Sequence, residues 1–388
     1  MKLFHKNTDP QKQEAQRKTR AWRSLSRPVA LWLKKFHNTQ EQVPVEGPFL
    51  LIANHASNLD PVYVAFSSPR RPYAFVASEH LLRLGFVTRL LTRYFTVIPR
   101  PKASMAIDTI RSITKTLKQG DPVVLFAEGD NTWTGVSGSI FPATGKLVKM
   151  MKVPLVTYRL EGNFLTKPRW ADKKRPGFVR GSVVHVYQTE EIAKMRPEEI
   201  DRRINADIYV DIRQFPQADL QRFKGRHLAE HVERGFFICP SCGRIGTLSG
   251  QGNRILCGGC RSEMTIDAAC RLHGGPFADL YAWEQWQSDA LRTFVQEQKE
   301  TRLFAAEGML TDLAQEKQEP VSFWMDLSRQ ALCMGDQQIQ FSAISDMSMV
   351  QTPRLLFTTD QGYFEIHSKQ AVLRPYVLAW QEVHNRME

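Results

Sequence analysis

The sequence holds no long hydrophobic run. No stretch approaches the roughly 20 apolar residues that a spanning helix needs, and the first residues lack the apolar core of a secretory signal. Internal repeats and low-complexity tracts are absent too, which excludes solenoids and biased linkers. Cysteine is scarce, with six among 388 residues, and four of the six stand in two close pairs. Acidic residues are nearly missing from positions 1–37, which carry ten Lys or Arg and two acids, a local charge of +8. These absences predict a cytoplasmic protein with no transmembrane helix, peripheral on the inner face of the cell membrane.

What is present is an ordinary globular composition, 42% hydrophobic and 24% charged, long enough for two or three domains. The net charge of +12 is uneven: residues 38–266 hold +11 and residues 267–388 hold −7. Basic surface implies an anionic partner such as a phospholipid headgroup, a phosphorylated substrate or nucleic acid. Residues 21–37 mix Trp22, Trp32 and Phe36 with Arg and Lys. That mixture suits a helix lying in a lipid interface and equally a helix docked on the protein by its tryptophans, so 1–46 is expected to be a basic, helical membrane-interface segment.

From Pro48 the pattern alternates. Apolar runs at 49–53, 73–77, 94–99, 122–127, 153–160 and 178–187 read as strands, and 61–66, 80–93, 103–119 and 143–152 read as helices. This order predicts an α/β domain over 47–215 with a mostly parallel central sheet flanked by helices. A helical connector is expected at 216–235. Residues 275–388 begin helically, continue as short strands and end in a helix, which predicts a small, mainly β domain.

Cys239-Pro-Ser-Cys242 and Cys257-Gly-Gly-Cys260 are two pairs separated by fourteen residues. Each pair offers two thiolates at the bite of a tetrahedral Zn²⁺, and four cysteines leave no open coordination position. The expectation is a structural zinc ribbon over 236–266 and no catalytic cofactor. Cys270 and Cys333 are expected as unpaired, packed thiols.

The stretch Asn54-His55-Ala56-Ser57-Asn58-Leu59-Asp60 follows the first apolar run. It sets a histidine and a carboxylate just past a strand's carboxyl end, where open α/β sheets bind ligands. A carboxylate that orients a histidine makes it a general base for a hydroxyl. Asp60 before Pro61 also reads as a helix N-cap, with His55 a plain loop residue. Gly145-Lys146 lacks the glycine and hydroxyl of a phosphate loop, and the serine segment at 135–139 misses the nucleophile elbow.

Three further segments follow in order: 78–100, ending Thr96-Val-Ile-Pro-Arg100; Val123-Val-Leu-Phe-Ala-Glu128-Gly129; and Val153-Pro154-Leu-Val-Thr157. With the histidine block, the chain over about residues 25–210 resembles the glycerolipid acyltransferase family, which includes lysophosphatidate acyltransferases. The resemblance implies transfer of a fatty acyl group to a lysophospholipid hydroxyl, as in 1-acylglycerol-3-phosphate to phosphatidic acid. It maps His55 onto the general base, Asp60 onto its orienting partner, Arg100 onto the ligand of the acceptor's phosphate, and Glu128, Gly129 and Pro154 onto acceptor-binding segments. Asn131 stands where the family usually carries a second arginine, and the basic stretch 167–175 offers a replacement charge. The implied partners are an acyl donor (acyl-CoA, acyl-carrier protein or acyl phosphate), a lysophospholipid and an anionic membrane surface, with nucleic acid not expected. The rival readings are a nucleic-acid- or protein-binding zinc-ribbon protein and a lipid hydrolase using the same His/Asp pair. The C-terminal strands and helix are similar to pleckstrin-homology-like domains.

Overall fold

Short, wholly apolar runs need cover on both faces, and the first part of the chain supplies it. A computed structural model describes residues 10–35, 38–68, 72–78, 92–100, 107–297, 301–350 and 353–384. The expected helix at 80–93 and its arginine-edged apolar face lie largely outside the described residues. The chain divides into two compact units, one of 1–132, 136–166 and 177–213 and one of 133–135, 167–176 and 214–388.

The first unit is built on a seven-stranded sheet. Its strands are β1 (Thr39–Gln40), β2 (Leu50–Ala53), β3 (Ala74–Ser78), β4 (Thr96–Arg100), β5 (Val123–Leu125), β6 (Leu155–Glu161) and β7 (Arg180–Tyr187), in the order β1-β7-β6-β2-β5-β3-β4. β2 runs parallel to β5 and β6, and β3 parallel to β5 and β4. Only β7 against β6 is antiparallel, while β1 adds in parallel to β7. The mostly parallel sheet expected from the alternating pattern is therefore present.

Period-two alternation splits β2 between two cores. Leu50 and Ile52 join a cluster with α3 (Ile107–Lys118), α4 (Thr144–Met151) and α6 (Pro197–Ile208), the last preceded by α5 (Thr189–Lys194). Leu51 and Ala53 join the opposite cluster with α1 (Pro10–Lys35) and α2 (Asp60–Ala65). Trp22 of α1 is 1% exposed. Its indole N–H donates to Ser68 O at 2.7 Å and its ring meets Phe66 and Phe95 at 5.2 and 5.0 Å. That tryptophan is a core residue, so α1 docks on the protein through it. Leu31 of the same helix is 71% exposed. Among the described residues, no helix is long and apolar enough to cross a membrane.

The second unit joins the cysteine module to a β domain. Residues 216–235 do not form the single connecting helix expected. They hold a four-residue helical turn, Gln217–Leu220, and a 3-10 turn, Val232–Arg234. His227 and His231 take positive φ (60° and 66°), which no helix tolerates. Four antiparallel strands follow: β8 (Leu248–Gln251), β9 (Arg254–Cys257), β10 (Glu263–Ile266) and β11 (Leu272–His273).

Helix α7 (Leu280–Glu297) then braces the entry to the module. The buried Gln287 accepts from Phe237 N and Ile238 N at 2.7 and 3.1 Å and donates to Gly235 O at 3.1 Å. The C-terminal strands are β12 (Leu303–Asp312), β13 (Lys317–Asp326), β14 (Ala331–Met334), β15 (Gln337–Gln340), β16 (Asp346–Met349), β17 (Arg354–Thr359) and β18 (Gly362–His367). They form one antiparallel sheet ordered β15-β14-β13-β12-β18-β17-β16. Helix α8 (Arg374–His384) ends the described chain, and its Trp380 indole donates to Ile344 O at 3.0 Å. The small, mainly β region ending in a helix is as expected, with β12 and β16 additional to the strands read from sequence.

Candidate active site

The carboxyl end of β2 is pinned by a side chain that imitates backbone. Asn54 Nδ2 donates to Leu160 O at 2.9 Å, and Leu160 N donates to Asn54 Oδ1 at 2.7 Å. This continues the β2–β6 pairing for one residue after the strand has ended and fixes where His55 leaves the sheet.

His55 Nδ1 lies 3.0 Å from Asp60 Oδ2. Asp60 is 0% exposed, whereas the His55 side chain keeps 18% exposure. The same Asp60 oxygen accepts Ala56 N at 2.7 Å and Ser57 N at 2.9 Å, and Oδ1 accepts Asn163 Nδ2 at 2.9 Å. The carboxylate therefore turns back onto the His55 loop. It does not cap its own helix: α2 begins at Asp60 with Pro61 in its first turn and no side-chain cap. The cap expected from Asp60-Pro61 is replaced by a loop clasp on the amides of Ala56 and Ser57. Three N–H groups, from Ala56, Ser57 and Asn163, fix the carboxylate in place facing His55 Nδ1. With Nδ1 engaged by Asp60, Nε2 is the ring nitrogen left for a substrate.

Glu128 supports the loop from the next strand. Its Oε1 accepts His55 N at 2.7 Å and its Oε2 accepts Gly138 N at 2.7 Å. Burial raises its carboxyl to about 7, against the lowering pull of those two amides and of His55. Phe126 stacks under the His55 ring at 4.4 Å and 25°. Thr132 N donates to His55 O at 3.2 Å. Asn131 is buried, and its Nδ2 donates to Asn58 Oδ1 at 2.8 Å, so it ties its own segment to the histidine loop.

Gly129 takes φ +78°, and a Cβ there would lie 2.1 Å from the Phe141 ring. Only glycine fits between that ring and the strand end. Phe141 in turn covers the Arg100 guanidinium, with Cζ 4.3 Å from the ring centroid. Burial lowers the pKa of Arg100, and its Nε has no hydrogen-bond partner among the described residues.

Six of the seven residues expected in the catalytic pair and the substrate site lie on loops, a strand end or a helix start at the carboxyl edge of the sheet. These are His55, Asp60, Arg100, Glu128, Gly129 and Asn131, linked through the contacts above. Pro154 is the exception. It precedes β6 and its carbonyl accepts Leu50 N at 3.0 Å, so it sits at the amino edge, at the other end of β2 from His55. A second departure concerns the basic stretch 167–175, expected as a replacement charge. It belongs to the second unit, where Arg169 covers the Trp133 ring at 4.4 Å and Arg175 is buried with Nη2 donating to Leu228 O at 2.7 Å. Sequence reasoning passed over Asn163, Phe126 and Gly138. Asn163 is far along the chain and carries no local signal.

The four cysteines converge in the second unit. Sγ atoms of Cys239, Cys242, Cys257 and Cys260 all lie within 4.8 Å of one another, with Cys239–Cys260 at 3.8 Å and Cys242–Cys257 at 3.9 Å. A metal bound at about 2.3 Å in a sulfur tetrahedron needs S···S edges of about 3.8 Å. The two knuckles match. Gly243 N donates to Cys239 O and Arg261 N to Cys257 O, while Cys239 N and Cys257 N donate to Arg244 O and Ser262 O. Gly243 and Arg261 share positive φ, 70° and 62°. The cluster can hold a metal ion. Cys270 and Cys333 are free and buried, as expected.

Comparison with known proteins bears out the resemblance over residues 35–161. Residues 35–161 match the family model described as Acyltransferase. Among the side chains grouped around His55, only Asn163 falls outside that range. A probable 1-acyl-sn-glycerol-3-phosphate acyltransferase of Mycoplasma genitalium is 26% identical over 152 residues, covering 37% of this chain and 56% of the relative. The chain thus spans little more than half the length of that relative. The 1-acyl-sn-glycerophosphate (LPA) acyltransferase PlsC of Thermotoga maritima superposes with a TM-score of 0.41 at 18% identity, over 52% of this chain and 80% of the other.

Proposed function

We propose that the first unit transfers a fatty acyl group from an activated donor to the hydroxyl of a lysophospholipid, with 1-acylglycerol-3-phosphate as acceptor and phosphatidic acid as product. The observation that carries this is the His55–Asp60 pair, 3.0 Å apart, with a fully buried carboxylate and a partly exposed imidazole. The match of residues 35–161 to the Acyltransferase model and the acceptor in the relative's name support it.

An alcohol is a weak nucleophile until a base takes its proton. His55 Nε2 would accept the acceptor's hydroxyl proton while Asp60 holds Nδ1–H and balances the imidazolium. The freed oxygen attacks the donor's carbonyl carbon and forms a tetrahedral oxyanion. Collapse breaks the bond to the donor's leaving group, a thiolate for acyl-CoA or acyl-carrier protein, and Nε2–H returns the proton to it. Arg100 would hold the acceptor's phosphate, and Glu128 and Gly129 would shape the loop between. A structural Zn²⁺ on Cys239, Cys242, Cys257 and Cys260 would fix the ribbon and take no part in the reaction. Exposed Arg17, Arg20, Arg23, Arg27 and Leu31 on α1 suit an anionic membrane surface, where the lipid substrate resides.

The test is product analysis with lysophosphatidate and each donor in turn. Phosphatidic acid is expected. Free fatty acid without phosphatidic acid would make the protein a hydrolase.

A further inference from the structure

We propose that Ser78 is a second ligand for the acceptor's phosphate, forming with Arg100 a phosphomonoester subsite on the carboxyl edge of β3 and β4. The proposal rests on the lysophosphatidate reading above and supplies what Asn131, engaged with Asn58, does not.

Three observations carry it. The parallel register pairs Ser78 with Arg100 as the last partners of β3 and β4. Ala74, Val76 and Ile98 of these strands line one core cluster, so the two-residue period sets Ser78 and Arg100 side by side on that same face, just beyond the apolar residues. Ser78 Oγ and Arg100 Nε are both buried and have no hydrogen-bond partner among the described residues. Two adjacent buried donors, one of them cationic, suit an anion with several oxygens. Phe141 fixes the guanidinium plane at 4.3 Å, and Gly129 leaves the ring room to do so.

The sheet order then sets the scale. β3 is two strands from β2, so Ser78 stands about 10 Å along the sheet edge from the His55 strand, and Arg100 one strand farther. A three-carbon backbone with its phosphate is of the length that separates these two strand ends.

The experiment compares the full-length wild type with Ser78→Ala, Ser78→Thr and Arg100→Gln. Calorimetry measures glycerol 3-phosphate binding, and kinetics compare lysophosphatidate with neutral monoacylglycerol as acceptors. Ser78→Ala should weaken glycerol 3-phosphate binding and raise KM for lysophosphatidate by about 10-fold or more, the scale for a hydrogen bond to a charged group. Its kcat and its use of monoacylglycerol should stay near wild type, and Ser78→Thr, which keeps the hydroxyl, should bind normally. Unchanged binding and KM in a folded Ser78→Ala variant would overturn the subsite, as would an equal penalty with both acceptors. If wild type makes no phosphatidic acid while Ser78→Ala still loses glycerol 3-phosphate affinity, the subsite stands and the acyl-transfer reading falls.

Discussion

Replacing Asp60 by asparagine keeps size and shape and removes only charge and one acceptor. The native carboxylate receives His55 Nδ1 at 3.0 Å, Ala56 N at 2.7 Å, Ser57 N at 2.9 Å and Asn163 Nδ2 at 2.9 Å. An asparagine has one acceptor oxygen. With that oxygen toward the loop amides, its NH₂ meets the NH₂ of Asn163, and an unmatched buried donor costs about 1–3 kcal/mol. Flipped, its NH₂ faces Nδ1, which moves the ring proton to Nε2 and removes the base. The first orientation loses the charge that balances the imidazolium and the second loses the base, so kcat should fall by about 10²–10⁴-fold, the scale of general-base catalysis, with a smaller loss in unfolding free energy. The double variant Asp60→Asn/Asn163→Asp separates the two effects. It restores a donor–acceptor match between positions 60 and 163, so stability should recover while turnover stays low. Wild-type turnover in Asp60→Asn, measured with lysophosphatidate and a matched denaturation curve, would refute the tautomer argument.

Glu128 makes a pH-dependent prediction. Burial raises its carboxyl from 4.5 to about 7, so the folded state holds the proton more tightly than the unfolded chain does. Its contribution to stability is fully present below about 4.5 and is lost as pH rises through about 7, some 3 kcal/mol in all. Glu128→Gln lacks this titration, so urea unfolding should show the variant gaining on wild type by about that amount between those pH limits. A difference independent of pH contradicts the burial argument. The cysteine cluster predicts one zinc per chain by metal analysis. Chelation or Cys239→Ser should expose 236–266 to protease; an unchanged digestion pattern without zinc would count against a structural metal.

The element pattern was largely legible because a doubly covered parallel sheet writes its strands as bare apolar runs, as at Leu50–Ala53 and Val123–Leu125. β12 escaped because Leu303–Asp312 is only half-buried along most of its length, so its alternation is diluted by Ala, Gly and Glu. The connector misled because its composition is helical while positive φ at His227 and His231 interrupts it. The site itself was legible in type and spacing but not in direction. Asp60 followed by Pro61 reads as a cap, and only the fold shows the carboxylate facing Ala56 and Ser57. Asn163 could not be found from its neighbours, since it reaches Asp60 from 103 residues away. Pro154 shows the opposite limit: a motif in the expected order that the parallel register carries to the other edge of the sheet.

The account stands most directly on His55. Acyl transfer to lysophosphatidate, followed as phosphatidic acid formed by wild type and by a folded His55→Ala variant, should show turnover falling by at least about 10²-fold with acceptor binding retained. Turnover close to wild type in that variant would contradict the general-base mechanism.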